Sequence, residues 1–320
     1  MNPLTFALAY FLDDFSPFLF EIRPGVGIRW YGLAYVLAFI CGYALYKWLA
    51  EKGYSEMRPE AVGDFITWAA VFGVMLGGRL GYALFYNLRE TLEAPWTFFE
   101  LWRGGMASHG GIIGLVIFTF YHARRHHLSW PGIGDNLVVV APIGLFFGRC
   151  ANFINGELYG WPSTAPWAVQ FPKELFDFPA LAERARTACE GVIPPPVTVD
   201  AITERVRYDP RVQEILRGIL TPRHPSQLYE ALLEGVVLFS ALWFLRIYTR
   251  QPRGVITGAF FILYALLRIV GEQFRVPDAP LTGPFTRGQF LSFFLIAIGI
   301  AFVVHGLRTK QYESAQITGR

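Results

Sequence analysis

The sequence predicts an all-α integral membrane protein, with seven transmembrane helices and a small extracytoplasmic subdomain between the fourth and fifth of them. Hydrophobic residues make up 53% of the 320-residue chain and charged residues only 17%, whereas soluble domains are usually about one quarter charged. Mean hydropathy over the whole chain is +0.34, and apolar stretches recur along it. These observations exclude a disordered chain, a collagen and an ordinary cytosolic enzyme. The net charge of +3 is too small to indicate a nucleic acid as partner.

The predicted spans follow from the lengths of the apolar stretches, because a hydrocarbon core about 30 Å thick needs roughly 17–25 mostly apolar residues per helix. An odd number of spans places the two termini on opposite sides of the membrane. Ten basic residues in the loops of one side, against six on the other, predict a cytoplasmic C-terminus and an extracytoplasmic N-terminus. We treat residues 1–320 as one membrane domain with seven spans, the fourth being the shortest: 28–49, 65–85, 105–121, 137–150, 228–247, 255–271 and 290–306.

The segment 152–226 is too long for a simple connection between two spans. It contains several prolines, including three in succession, and polar stretches of helix-forming residues. Long ordered loops are often functional. We therefore predict that 152–226 forms a small extracytoplasmic subdomain within the membrane domain.

Ionisable residues form a stripe along the sixth span. Tyr264, Arg268, Glu272 and Arg275 are spaced i, i+4, i+8 and i+11, which places them within about 80° on one helix face. Inserting such a charged group costs roughly 2.5–3.5 kcal/mol, so these groups normally face a cavity and mark a functional site. Two guanidinium forks beside a carboxylate suit a phosphate group. The alternative is a seam of ion pairs between helices, with Arg275 extending to water.

A second polar segment, GRCANFINGELYG, lies at the outer end of the fourth span. Arg149, Asn152 and Asn155 are spaced i, i+3 and i+6 and therefore share one helix face. An arginine followed by two amides and the carboxylate of Glu157 suits an anionic, hydroxyl-rich headgroup. Gly160 allows close approach of the backbone. The alternative is a capped helix end whose arginine extends to water.

The glycine-rich segment GGMASHGG places His109 at the start of the third span. An imidazole with a pKa of about 6.5 suits a general base, and the flanking glycines would let a substrate approach the ring. A structural histidine is the alternative. Arg79 lies among glycines in the second span, where it either pairs with a carboxylate or lines a cavity.

The segment RHPSQLYEALLEG leads into the fifth span. Pro225 is placed to begin a helix, with His224 and Ser226 as candidate capping residues. Glu230 and Glu234 follow at i, i+4 in the outer half of the span, a spacing that favours capping and ion pairing.

These polar residues lie at or just inside the outer leaflet on at least four segments. Arginines recognise phosphate, amides and tyrosines contact hydroxyl groups, and a histidine supplies a base. Tyr31 begins the first span beside Trp30, although an aromatic belt alone would account for both. The combination favours a phospholipid-headgroup site over an ion path.

Six motifs, in the expected order and spread over nearly the whole chain, resemble the prolipoprotein diacylglyceryl transferase family of bacterial inner membranes. The GRCANFINGELYG run is close to the signature of that family. It departs from the family pattern by Cys150 and Ala151 inside the run and by Tyr159 in place of the usual Trp. The motifs are RWYGLAY, LGGRLGYALFY, GGMASHGG, GRCANFINGELYG, RHPSQLYE and YALLRIVGEQFRVPD.

The resemblance implies an activity and its partners. Members of this family transfer the diacylglyceryl group of phosphatidylglycerol to the lipobox cysteine thiol of a prolipoprotein, forming a thioether and releasing glycerol phosphate. This is the first step of lipoprotein maturation, before the signal peptide is cleaved. The implied partners are phosphatidylglycerol, prolipoprotein signal peptides with a lipobox cysteine, and membrane lipid. We expect no nucleic acid partner, no cofactor and no metal.

The resemblance also implies roles for individual residues. Arg149 corresponds to the phosphatidylglycerol-binding arginine of the signature, Arg268 to the essential arginine of the late helix, and His109 to the histidine proposed as base. The implied catalytic residues are His109, Arg149, Arg268 and Tyr264, and the implied substrate-binding residues are Arg149, Asn152, Glu157, Gly160, Tyr31, Glu272, Arg275, His224 and Gln227.

Other classes of membrane protein fit the sequence less well. A transporter would be expected to have paired halves with broken helices, and the sequence shows neither. A retinal receptor needs a lysine that the last span lacks. In a serine protease, the serine and histidine must meet from separate elements, whereas Ser108 and His109 are adjacent. A protein that binds or transports phospholipid without transferase activity remains as the alternative, and it needs no base at His109.

Overall fold

The structure, a computed structural model, describes residues 10–23, 26–100, 104–277, 280–281 and 283–312. It is mostly helical, and within these residues six helices are long and apolar enough to cross a membrane. The prediction of an all-α integral membrane protein is confirmed in this form. The six helices are α1 (Trp30–Glu51), α2 (Ala61–Phe85), α5 (Trp130–Ile154), α10 (Ser226–Tyr248), α11 (Val255–Glu272) and α12 (Arg287–Thr309).

The remaining predicted span, 105–121, corresponds to helix α4, Ser108–Arg125. This helix has 18 residues, but it begins with Ser108 and His109 and ends with a basic last turn. Because polar residues occupy both of its ends, α4 is less apolar over its whole length than the six helices above.

Helix α5 is longer than the predicted fourth span, 137–150. It covers 25 residues and includes Asp135 and Asn136, a polar pair at which an apolar stretch ends in the sequence. The Asp135 carboxylate is buried and accepts hydrogen bonds from the backbone N–H groups of Gly254 and Thr257, both at 2.7 Å. Because its acceptors are satisfied, the carboxylate is compatible with the interior of the helix.

Shorter elements connect the long helices. The short helices are α3 (Leu88–Glu93), α6 (Glu174–Asp177), α7 (Pro179–Cys189), α8 (Val199–Arg205) and α9 (Pro210–Arg217), and the strands are β1 (Phe11–Leu12), β2 (Phe18–Arg23), β3 (Val26–Arg29), β4 (Val169–Gln170) and β5 (Pro222–Arg223). Strand β1 runs parallel to β4, and β4 pairs antiparallel with β5, while β2 and β3 form an antiparallel pair.

The chain divides into two compact units. The first comprises the described residues of Met1–Ala38, Pro142–Leu238 and Leu263–Ile296. It contains an apolar core formed largely by α7, α8 and α9, to which Leu12 of β1 also contributes. The stretch that follows α5 therefore has a core of its own.

The second unit comprises the described residues of Phe39–Ala141, Phe239–Ile262 and Ala297–Arg320. In it, α2 and α4 pack closely through glycines. A Cβ atom on Gly77 would lie 2.6 Å from the carbonyl oxygen of Gly110, and one on Gly81 would lie 2.6 Å from the Cα atom of Gly110. Only glycine permits this approach of the two backbones.

Candidate functional site

Arginine and glutamate side chains cluster in the first unit. Arg149 lies on α5 and Arg268 on α11, and their side chains are 16% and 13% exposed. Glu230 and Glu234 lie on α10 and are 0% exposed. Buried charges of this kind are stable only when they are paired, and the structure pairs them.

Each of the two α10 glutamates bridges both arginines. Glu230 places Oε2 2.9 Å from Nη1 of Arg149 and Oε1 2.8 Å from Nη1 of Arg268. Glu234 accepts from Nη2 and Nε of Arg149 at 3.0 and 3.3 Å through Oε2, and its Oε1 lies 3.2 Å from Nη1 of Arg268. The two guanidinium groups are thus held side by side, one from each helix.

The local backbone explains how α10 places these two carboxylates. A π-helical segment, Ala231–Val237, begins directly after Glu230 and contains Glu234, and such widened turns are frequent at functional sites. A Cβ atom on Gly235 would lie 2.7 Å from the Cβ atom of Phe146. The absence of a side chain there lets α10 approach α5 closely.

Glu272 and Tyr264 flank Arg268 on α11, as the sequence predicts. The Glu272 carboxylate accepts from Nη2 of Arg268, and Tyr264 lies within electrostatic range of Glu234, Arg268 and Arg149. Gly288, near the start of α12, leaves room for this pair, because a Cβ atom there would lie 2.8 Å from the carboxyl carbon of Glu272.

Arg275 does not continue the α11 stripe, because the helix ends at Glu272. Its backbone instead pairs with Gly160 in a β-bridge. The side chain is 5% exposed, and its Nη1 lies 3.3 Å from Oε1 of Glu230. The alternative in which Arg275 extends to water is therefore wrong, and this arginine joins the buried cluster.

A second polar group is built around Glu157. Tyr31 donates its hydroxyl to Oε2 of Glu157 at 2.8 Å and accepts from the Asn152 amide. Lys173 binds Oε1 of Glu157 at 3.0 Å. Gln227 donates its amide to the backbone oxygen of Glu157 at 2.6 Å. Four residues that the sequence predicts as substrate-binding are thus brought together. Lys173 also belongs to this group, although the sequence did not predict it.

Gly160 and His224 lie close together in space, both in the chain segment between α5 and α10. The N–H of Gly160 donates to the backbone oxygen of His224 at 2.9 Å. A Cβ atom on Gly160 would lie 2.7 Å from the Cβ atom of His224 and would meet the backbone oxygen of Phe274. Nδ1 of the His224 ring lies 3.2 Å from the Tyr229 hydroxyl.

His109 lies in the second unit, in the first turn of α4, and its side chain is exposed. The glycine after it, Gly110, packs against α2 rather than leaving space beside the ring. Arg79 is buried and donates to backbone oxygens, among them Phe98 at 2.7 Å and Gly104 at 2.5 Å. Among the described residues, the hydrogen-bond partners of Arg79 are thus backbone oxygens of the segment before α4, and the predicted pairing with a carboxylate is not confirmed.

The side chains of Asp13, Tyr159 and Glu174 lie in the first unit, outside the spanning helices, and have raised pKa values. Burial raises the pKa of Asp13 to about 7, and burial together with the Asp177 hydrogen bond raises the pKa of Tyr159. Burial also raises the pKa of Glu174, although Nε of Arg223 donates to this carboxylate at 2.5 Å. The ion pair between Glu174 and Arg223 stabilises the segment that precedes α10.

The i, i+4 spacing of Glu230 and Glu234 predicts capping and ion pairing and does not by itself place them in the site. The ion pairing is confirmed, but the partners are the two arginines at the centre of the cluster. The signal was present in the sequence as two carboxylates at i, i+4 in a membrane span.

Buried arginines bridged by carboxylates, within a set of apolar helices that can cross a membrane, define a multi-pass membrane protein suited to holding an anionic group. Residues 17–305 match the family described as prolipoprotein diacylglyceryl transferase. The chain belongs to this family.

Curated relatives named phosphatidylglycerol–prolipoprotein diacylglyceryl transferase are similar to the chain over most of its length. The protein from Bdellovibrio bacteriovorus is 39% identical over 92% of this chain and 93% of its own. That from Serratia proteamaculans is 38% identical over 93% of this chain and 96% of its own. That from Azospirillum brasilense is 40% identical over 94% and 98%.

Proposed function

We propose that this protein transfers the diacylglyceryl group of phosphatidylglycerol to the lipobox cysteine of prolipoproteins, as the names of its relatives indicate. The observation that carries the proposal is the pair Arg149 and Arg268, held side by side by two shared carboxylates. Two guanidinium forks at a desolvated place recognise a phosphate and stabilise negative charge that develops on it.

The headgroup has two contact regions in this proposal. Arg149 and Arg268 bind the phosphate, with Tyr264, Glu272 and Arg275 supporting them. The hydroxyl groups of the terminal glycerol require donors and acceptors of the kind that surround Glu157. The residues assigned to the glycerol region are Tyr31, Asn152, Glu157, Gly160, His224 and Gln227.

The reaction replaces a C–O bond by a C–S bond. A base removes the thiol proton, at a cost of about 2 kcal/mol at pH 7 because a cysteine has a pKa of about 8.5. The sulfur electron pair then forms a bond to the diacylglyceryl carbon that carries the phosphate. The electron pair of the broken C–O bond goes to the phosphate oxygen, giving glycerol phosphate and a thioether. The arginines stabilise the negative charge that this oxygen gains.

His109 is the base in this proposal. Its side chain is exposed in the first turn of α4, and an imidazole is suited to proton transfer near neutral pH. No cofactor or metal is assigned a role.

The proposed setting is the bacterial inner membrane. We count α4 as a seventh span beside the six helices, with the N-terminus outside and the C-terminus in the cytoplasm. Residues 1–320 then form one membrane domain, and 152–226 form an extracytoplasmic subdomain within it. The apolar core of α7, α8 and α9 supports the last point.

The test is incubation of the purified protein in detergent with phosphatidylglycerol and a peptide carrying a lipobox cysteine. We expect mass spectrometry to find a diacylglyceryl adduct on the cysteine together with released glycerol phosphate. The second candidate is a protein that binds or transports phospholipid without transfer. Bound phosphatidylglycerol without any adduct would favour that candidate and contradict the transferase.

A further inference from the structure

The carboxylates of Glu230 and Glu234 make the contacts that a phosphate would make. Each directs one oxygen to Arg149 and the other to Arg268, at distances between 2.8 and 3.2 Å for the nearest atoms. A phosphate that bridges the two arginines likewise directs one oxygen to each. The two glutamates therefore compete with the phosphate for the same N–H donors.

The charges of the cluster balance among the residues that the structure describes. Three arginines, Arg149, Arg268 and Arg275, contact three glutamates, Glu230, Glu234 and Glu272. The sum of their formal charges is zero. Because an anionic headgroup meets a neutral cluster instead of three uncompensated cations, we expect the cluster to bind it less tightly than three uncompensated cations would.

We propose that Glu230 and Glu234 are positioning residues that act as an internal counter-anion. They hold the two guanidinium groups at one spacing before the lipid arrives, and they return to these groups as glycerol phosphate leaves. This inference rests on the proposed function. The phosphate of the lipid is a diester with one negative charge, whereas the glycerol phosphate product carries up to two near pH 7.

The need for the counter-anion follows from that charge difference. Breaking the C–O bond converts the diester into a more strongly charged monoester, which two uncompensated arginines would retain. A competing carboxylate pair weakens the hold on the product. It also limits the cost of keeping the empty site buried, since unpaired arginines in a membrane are expensive.

The experiment compares wild type with Glu234→Gln, which keeps the shape of the side chain and removes its charge. A unit charge at about 6 Å, with an effective dielectric constant of about 20, changes a binding constant by about 100-fold. Because water entry reduces this, we expect the inhibition constant of glycerol phosphate to fall about tenfold. We also expect KM for phosphatidylglycerol to fall and kcat to fall with it, because product release becomes slow.

Two further variants make the result specific. Glu234→Asp keeps the charge and should return the inhibition constant toward that of wild type. Glu183→Gln, at an exposed glutamate of α7 whose side chain is 70% exposed, should change none of these quantities. A merely structural role for Glu234 would instead raise KM, lower kcat and leave the inhibition constant of the product unchanged, and this result would overturn the inference.

Glycerol phosphate binding, measured by the rise in melting temperature that it causes, needs no turnover. It tests the counter-anion even if the wild-type protein transfers no diacylglyceryl group, a result that would contradict only the proposed function. If Glu234→Gln does not fold, Glu230→Gln provides the same comparison. Tighter glycerol phosphate binding by the variant supports the inference, and unchanged or weaker binding overturns it.

Discussion

Removing Arg149 should damage stability and activity for different reasons, and a second substitution should separate them. Arg149→Gln leaves the buried Glu230 and Glu234 with one cation too few, since Arg149 contacts them at 2.9 and 3.0 Å. Breaking a buried ion pair from one side costs about 3–5 kcal/mol. We therefore expect a large fall in melting temperature.

The double variant Arg149→Gln/Glu234→Gln restores the charge balance of the cluster. Both substituted amides can hydrogen-bond to each other and to the remaining charged groups, so the stability loss should shrink to about 1–2 kcal/mol. Activity should not return. Loss of one preorganised donor to a developing oxyanion costs about 10²–10³ in turnover, and the double variant still lacks the Arg149 fork.

The measurements are melting temperature in detergent and the rate of diacylglyceryl transfer to a lipobox peptide. Arg89→Gln, at an arginine whose side chain is 92% exposed, serves as a control and should behave as wild type in both. Recovery of turnover in the double variant would refute a phosphate-binding role for Arg149. A double variant as unstable as the single one would refute the explanation by charge balance.

Three further predictions concern other parts of the chain. His109→Gln should lower turnover at neutral pH by about 10²-fold or more. The control His305→Gln, at an exposed histidine of α12, should not lower it. Near-normal turnover of His109→Gln would make the assignment of the base wrong. Gly160→Ala should destabilise the protein by about 1–3 kcal/mol, because the added carbon meets the Phe274 backbone oxygen and the His224 side chain, and an unchanged melting temperature would contradict this packing. Asp13→Asn should stabilise the protein at pH 8 by at most about 4 kcal/mol and have little effect near pH 4. The reason is that a carboxyl whose pKa is raised to about 7 costs stability as the pH rises from about 4 to about 7. Equal gains in stability at both pH values would contradict the raised pKa.

The positions of the long helices could be predicted from the sequence, because hydropathy and length are properties of contiguous residues. The prediction failed at the boundaries of α5, where the acceptors of Asp135 are satisfied by residues more than a hundred positions later in the chain. Tertiary contacts of this kind allow a carboxylate inside an otherwise apolar helix.

In the candidate site, too, local patterns predicted some contacts, whereas contacts between distant parts of the chain could not be predicted. Tyr264, Arg268 and Glu272 share a helix face, so their proximity followed from helical periodicity. The contacts of Glu230 and Glu234 with Arg149 join residues that are some eighty positions apart, and no local pattern contains them. Arg275 was placed on the α11 stripe because periodicity carries no information about where a helix ends.

The most direct test of the central claim is which bond of phosphatidylglycerol breaks. The oxygen that joins the diacylglyceryl carbon to phosphorus would be labelled with ¹⁸O, and wild-type protein would be incubated with this lipid and a lipobox peptide. Attack of the thiolate on carbon, with the phosphate held by Arg149 and Arg268, predicts that the label is recovered in glycerol phosphate and that the peptide carries an unlabelled diacylglyceryl thioether. Recovery of the label in diacylglycerol would mean that the P–O bond breaks, and it would contradict the account.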